Sequence, residues 1–272
     1  MATRLAVISD IHGNIAALEA ALGDMERQRP DHILVCGDLF MHGPHPVEVA
    51  DRLRALEKDG AKVIAGNTDI AVADFDYMAA FPWMEDVPAA SRAAIEWAHE
   101  QLSDDQLDWL RRLPSERRVW ADDVLVLACH GSPGSQTNGL PADMDVGVLV
   151  ERVTRTDARV IACGHTHVAD VRELGRKLIV NPGSCGYAFD GDPGACWAMI
   201  TVPDQPPAAA AENEDEDEDG FGMVEVVDDT RPSAELFRPR YDAMAAADEV
   251  ARRGLPGDVY RAATIRNGRQ IS

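Results

Sequence analysis

Val160-Ile-Ala-Cys-Gly-His-Thr-His167 is the stretch on which the reading of this 272-residue chain turns. A short apolar run stops at Gly164, and two histidines follow with one residue between them. If the extended backbone continues past the glycine, His165 and His167 project to the same side. Paired imidazoles at the end of a buried strand are donors of the kind a metal site needs. Gly-His-x-His alone is only suggestive. Its weight comes from four earlier places where an apolar run ends in a metal-ligand residue type.

Arg4 to Ser9 reads as a buried strand and leads into Asp10-Ile-His12-Gly13-Asn14. Asp10 and His12, two apart, can face one side as that strand emerges. Helical spacing follows from Ile15 to Arg27. A second strand, Asp31 to Cys36, ends in Gly37-Asp38. A turn-rich loop holding His42 and His45 leads to a helix near Val47 to Lys58. A third strand, Lys62 to Ala65, ends in Gly66-Asn67-Thr68-Asp69. Alternating strands and helices predict a parallel sheet whose strand ends share one edge, where ligands bind.

From about residue 70 to 117 the pattern predicts a small helical insertion. Ser91 and Ser103 read as helix N-caps, and Trp83, Trp97 and Trp109 as its core. Arg118 to Trp120 and Val124 to Cys129 read as a hairpin whose second strand ends in His130-Gly131. A helix near Val146 to Thr154 precedes the strand before Gly164. A hairpin around Gly175 ends in Asn181-Pro-Gly-Ser184, read as a loop with exposed backbone donors. Ala195 to Val202 is another strand. Residues 203–220, rich in Pro, Ala and then acids, predict a disordered acidic loop. Met223 to Val227 and Ser233 to Phe237 read as a closing antiparallel pair. A helix from Tyr241 to Arg253 stops at Gly254, and nothing after Pro256 gives a signal.

Composition narrows the function classes. With 46% hydrophobic residues the chain can bury a sizeable core. No run reaches the roughly 18 apolar residues of a membrane span, and Met1 to Asp10 lacks the features of a signal peptide. The expected location is the cytoplasm. Five cysteines form no close-spaced framework, and three of them, Cys36, Cys129 and Cys163, read as small buried residues at strand ends. The net charge is −21, so the general surface excludes duplex nucleic acid as a partner. A small anionic substrate fits only where metal ions reverse the sign locally. Strands near the C-terminus leave an edge open for homo-oligomer pairing.

In order, the strand-end residues are Asp10, His12, Asp38, Asn67, His130, His165 and His167, or D-x-H, G-D, G-N-x-D, H-G and G-H-x-H. With these five linked motifs, the sequence from Arg4 to about Val202 closely resembles the calcineurin-like metallophosphoesterases. It is most similar to their small bacterial and archaeal phosphodiesterases, which also carry a Gly-Pro loop, here Gly43-Pro44, and an Asn-Pro-Gly-Ser loop, here Asn181 to Ser184. The resemblance implies an α/β fold of two sheets in a β-sandwich flanked by helices, four layers in all, within a single domain spanning 1–272. It implies two metals, the first on Asp10, His12, Asp38 and His167, the second on Asp38, Asn67, His130 and His165, with Asp38 bridging.

Imidazole with carboxylate suits divalent transition metals, and Mn leads, with Fe and Zn as alternatives. Two such ions lower the pKa of a bridging water, whose hydroxide attacks phosphorus in line. Asn67 and His130 are therefore counted with the catalytic residues. One departure matters: many relatives carry histidine after the Gly-Asn pair, as the acid for the leaving group, and this chain has Thr68. Threonine is no general acid near neutral pH. The expected substrates are small or cyclic phosphodiesters, with 2′,3′-cyclic nucleotides leading. Phosphomonoesters and dinucleoside polyphosphates are alternatives, and a non-catalytic protein-interaction scaffold is the reading from another class. His42 or His45 could replace the missing acid, and His42 and Asn14 are candidate substrate-binding residues. Asp69 reads as a turn-stabilising carboxylate.

Overall fold

The computed structural model describes residues 2–204 and 231–271. The expected strand at Met223 to Val227, and the acidic loop from residue 205 on, lie outside the described residues.

Two five-stranded mixed sheets pack face to face. In the first, β1 (Thr3–Ile8), β2 (His32–Cys36) and β3 (Lys62–Ile64) run parallel, and β9 (Trp197–Val202) and β10 (Ser233–Phe237) extend it antiparallel beyond β1. In the second, β5 (Val124–Cys129), β6 (Val160–Ala162) and β8 (Lys177–Asn181) are parallel. The antiparallel strands β4 (Glu116–Ala121) and β7 (Asp170–Leu174) close its edges.

Period-two alternation decides the layers. Leu5, Val7, Leu34 and Cys36 point inward onto Val126, Ala128, Val160, Ala162 and Val180 of the other sheet. Ala6, Ile8, Val35 and Val63 point outward, under α1 (Ile15–Gln28) and α2 (Pro46–Lys58). On the far side, Cys129, Ile161 and Ile179 pack against Leu149 and Val153 of α7 (Val146–Val153). Strands buried on both faces read as continuous apolar runs for this reason.

Four helices join β3 to β4: α3 (Asn67–Asp74), α4 (Tyr77–Ala80), α5 (Ala89–Gln101) and α6 (Asp104–Arg111). Ser103 caps α6 in a capping box with Gln106. Ser91 does not cap α5, which starts two residues earlier behind Pro88. The tryptophans of this segment divide. Trp109 is buried and donates its Nε1–H to Glu57 at 2.7 Å, and Trp97 packs on the same core under Arg253. Trp83 is exposed, contrary to its reading as core. The tail that carried no sequence signal forms α9 (Asp258–Asn267), packed on α8 (Ala243–Arg253). The buried Asp258 holds both Arg253 and Arg261 and ties the two helices together. Among the described residues no helix is long and apolar enough to cross a membrane.

Candidate metal centre

The carboxyl ends of β1, β2, β3, β5 and β6 bring all seven strand-end residues to one edge of the sandwich, in two touching groups. Asp10, His12, Asp38 and His167 are buried, and their donor atoms all lie within 4.8 Å of one another. His12 Nε2 is 3.2 Å from His167 Nε2, and His167 Nε2 is 3.2 Å from Asp10 Oδ1. The second group holds Asn67, His130 and His165. Asn67 Oδ1 lies 3.1 Å from His130 Nε2 and 3.0 Å from His165 Nδ1. Asp38 belongs to both: its Oδ2 is 3.7 Å from His12 Nε2 and its Oδ1 is 3.4 Å from His130 Nε2.

The outward atoms of these side chains are pinned by the backbone. The Nδ1 atoms of His12, His130 and His167 face the carbonyls of Met41, Cys36 and Tyr187 at 2.9, 2.7 and 2.6 Å. A carbonyl only accepts, so each Nδ1 carries the proton and each neutral ring turns a bare Nε2 inward. Asn67 donates its Nδ2–H to Ala80 O at 3.1 Å, which aims its Oδ1 at the site. Two Nε2 lone pairs 3.2 Å apart repel unless a proton or a cation lies between them. Asp10 Oδ1 is buried with no hydrogen-bond partner among the described residues. Inward imidazole nitrogens and carboxylate oxygens gathered this closely, with Asp10 Oδ1 unpartnered among them, fit a divalent cation.

Without a cation, protons take its place. Burial works against a charge on His130, but Asp38 beside it pushes its imidazole up to about 10. His167 is raised in the same sense by Asp10. Burial and the neighbouring imidazoles push His12 and His165 down to about 4. Asp10 and Asp38 are buried, yet their histidine neighbours hold both carboxyls below the usual range.

The backbone departs from the sequence reading. β1 stops at Ile8 and β6 at Ala162, and Asp10, His12, Asp38, His165 and His167 all have left-handed φ, between +51° and +70°. Neither D-x-H nor H-x-H is extended: Asp10 and His12 still turn to one group, as expected, but the two histidines do not. His165 turns to Asn67 and His130, while His167 turns to Asp10 and His12. Left-handed φ is costly for residues with a Cβ and persists where surrounding contacts hold it. Those contacts are backbone bonds between loops: Asp10 N–H to Gly37 O, His12 N–H to Asp38 O, Gly164 N–H to His130 O and Gly186 N–H to Asp10 O, at 2.8 to 3.0 Å. Two glycines permit the approach. A Cβ on Gly164 would strike the Ser9 side chain and Asp10 Oδ2, and one on Gly66 would strike Asp38.

Several polar residues have structural work. Asn14 is fully buried; its Oδ1 accepts from Ala17 N to cap α1, and its Nδ2 donates to Gly186 O and Tyr241 Oη. Both Nδ2 hydrogens and one Oδ1 lone pair are thereby engaged within the fold, which gives the side chain a structural role. The Asn181 to Ser184 loop is buried and not a set of exposed donors: Ser184 Oγ donates to Asp10 O and Asn181 Nδ2 to Gly164 O, at 2.7 and 2.8 Å. Asp69 accepts from Leu39 N and Gly66 N, both at 2.8 Å, and so clamps the Asp38 loop to the Asn67 loop. Burial and the charge on Asp38 raise its carboxyl to about 7.

The two loop histidines separate. His45 Nε2 lies 2.8 Å from Glu249 Oε2 on α8, so this ring is turned to a carboxylate. His42 stacks on Tyr187 with centroids 4.6 Å apart and lies 5.0 Å from the His12 ring. Burial and the His12 ring hold it well below the ordinary imidazole value, so it carries no spare proton at neutral pH. It lies beside the first group of donors and is therefore poorly suited to act as the acid. Tyr187, which orients His167 and backs His42, had no signal in the sequence.

Residues 3–205 match the family model of the calcineurin-like phosphoesterase superfamily domain. The chain belongs to that superfamily. An uncharacterised protein of Methanocaldococcus jannaschii, MJ0912, is 25% identical over 218 residues, covering 74% of this chain and 83% of that protein. Two solved structures share the fold over 98% of this chain. One is a metallophosphoesterase from Sphaerobacter thermophilus (24% identity, TM-score 0.69, all of that chain). The other is the hypothetical protein PH1004 from Pyrococcus horikoshii (19% identity, TM-score 0.75, 98% of that chain). Family and buried Asp/His cluster together point to a metal-dependent phosphoesterase with a divalent-metal site.

Proposed function

We propose that the protein is a dinuclear phosphodiesterase acting on small or cyclic phosphodiesters. The observation that carries the reading is Asp38, whose two oxygens face two different groups of donors. Asp10, His12 and His167 would hold one ion with Asp38, and Asn67, His130 and His165 the other. When bound, such ions supply positive charge for phosphate oxygens and lower the pKa of a water held between them. The mixed imidazole and carboxylate donors favour Mn, with Fe and Zn as alternatives.

The chain's own residues supply the rest. The carbonyl-bound Nδ1–H groups fix ring tautomers and orientations before substrate arrives, and the buried loops keep bulk water from the inward nitrogens. Thr68 follows Asn67 and donates its backbone N–H to Asp38 Oδ1 at 3.0 Å, while its hydroxyl is buried without a partner among the described residues. That hydroxyl is no proton donor near neutral pH, burial holds His42 well below the ordinary imidazole value, and His45 is turned to Glu249. Leaving groups that need little protonation are therefore favoured, which argues for cyclic and aryl diesters over alkyl monoesters. The five cysteines are buried and free, in keeping with a reducing compartment such as the cytoplasm.

The test is hydrolysis by chelator-stripped protein with Mn, Mg, Zn or Fe restored singly. The panel holds bis(p-nitrophenyl) phosphate, p-nitrophenyl phosphate, 2′,3′- and 3′,5′-cyclic nucleotides and a dinucleoside tetraphosphate. Diester turnover above monoester turnover, lost in Asn67→Ala and His165→Ala, supports the reading. A monoester or tetraphosphate preference replaces the substrate class, and two bound ions without turnover favour the scaffold.

A further inference from the structure

Beside the second group of donors stands a ring that the phosphate chemistry does not use. Trp83 is 54% exposed, and its centroid lies 6.3 Å from that of His165, with the planes at 75°. Phe81 is its other aromatic neighbour, 5.9 Å away at 87°. Both contacts are perpendicular, so among the described residues no aromatic ring lies parallel on the indole.

The indole is held in place. Met84 N–H donates to Phe81 O at 2.9 Å, which closes a turn with Trp83 at its tip. Phe81 is buried in the core and anchors that turn. One residue back, Ala80 O accepts the Asn67 Nδ2–H at 3.1 Å. The platform is therefore tied by backbone to a residue of the site itself, so its height above the donors is set by the fold. A large apolar ring kept in water beside a polar centre gains by covering its face with another flat ring, and aromatic pairs settle with centroids roughly 4.5–7 Å apart. The His165 ring, a member of the second group of donors, already lies within that range of Trp83 at 6.3 Å.

We propose that Trp83 is a specificity-determining residue that stacks on an aryl or nucleobase substituent of the phosphate ester. This rests on the phosphoesterase reading above. It adds that the substrate carries an aromatic group on the side of Asn67 and His165, so aliphatic phosphodiesters bind less well for want of a stacking partner.

Binding without turnover tests it. Phenylphosphonate and methylphosphonate are titrated calorimetrically into the Mn-loaded full chain, with metal content measured for each variant. The parent should bind phenylphosphonate on the order of tenfold tighter, the scale of one stacking contact. Trp83→Ala should bring the two ligands within about twofold of each other through the phenyl ligand alone, and Trp83→Phe should keep part of the preference. Trp120→Ala, which removes an exposed indole from strand β4, should keep all of it. With bis(p-nitrophenyl) phosphate, Trp83→Ala should raise KM and leave kcat nearly unchanged. A parent that binds both phosphonates equally, or a preference that survives in Trp83→Ala, overturns the assignment and leaves the phosphoesterase reading standing. A parent that binds neither phosphonate overturns both.

Discussion

The two sheets contribute unequally to the site. Loops of the first sheet carry Asp10, His12, Asp38 and Asn67: both carboxylates, the amide and one imidazole. Loops of the second carry His130, His165 and His167, all imidazoles. The first sheet therefore sets the negative charge, and the second adds neutral nitrogens that bind without cancelling the charge of a cation. The division teaches that neither sheet alone makes a site. Even the orientation of His130 comes from Cys36 O, across the sandwich from its own strand.

The sharpest way to break the comparison is to remove the one side chain that both groups share. Asp38→Asn should cut metal-restored turnover by at least about a hundredfold and leave less than one tightly bound Mn per chain. His165→Ala, on the second sheet, should leave one ion behind. Metal analysis after gel filtration checks both, and equal losses in the two variants would contradict a shared Asp38.

Gly164→Ala tests the seam between the sheets. The added methyl must displace Ser9 and Asp10. It should cost about 1–3 kcal/mol in urea unfolding and weaken metal binding as well.

Protonation offers a third test, in the window set by His130. In the chelated protein that ring keeps its proton up to about 10, against an ordinary 6.5. A folded-state value above the unfolded one means the folded chain binds more protons in between, so stability is full below about 6.5 and falls as pH rises toward 10. Metal binding needs the same nitrogen bare, so the stabilisation by Mn should grow over that window. Thermal unfolding at about pH 7 and about pH 9.5, with and without Mn, reads both slopes. Parallel slopes would contradict the assignment of His130 as a ligand.

The smallest expected effect belongs to Asn14. Asn14→Ala should cost about 1 kcal/mol as a lost helix cap and leave KM unchanged. A raised KM at full stability would return it to the substrate.

Much of the sandwich was legible in the sequence because alternation and apolar runs are local signals. Leu5 and Val7 face one layer and Ala6 and Ile8 the other, as period two requires. Capping at Ser103 was legible for the same reason, whereas α9 lacked a clear apolar stripe and went unread. The extended reading of Gly-His-x-His failed because left-handed φ at His165 and His167 is imposed by backbone bonds from other loops. Exposed donors at Asn181 to Ser184 failed likewise: that loop spends its donors on Asp10 and Gly164.

By itself, then, the sequence determined the donor types, their order along the chain and the strand ends that carry them, since residue chemistry and strand period are properties of neighbours. Only the tertiary structure decided which donor meets which. It sent His165 and His167 to different groups, took Asn14 for a helix cap, engaged His45 with Glu249 and left Trp83 in the open beside His165. Each of those outcomes depends on partners brought together from distant parts of the chain, where no local pattern reaches.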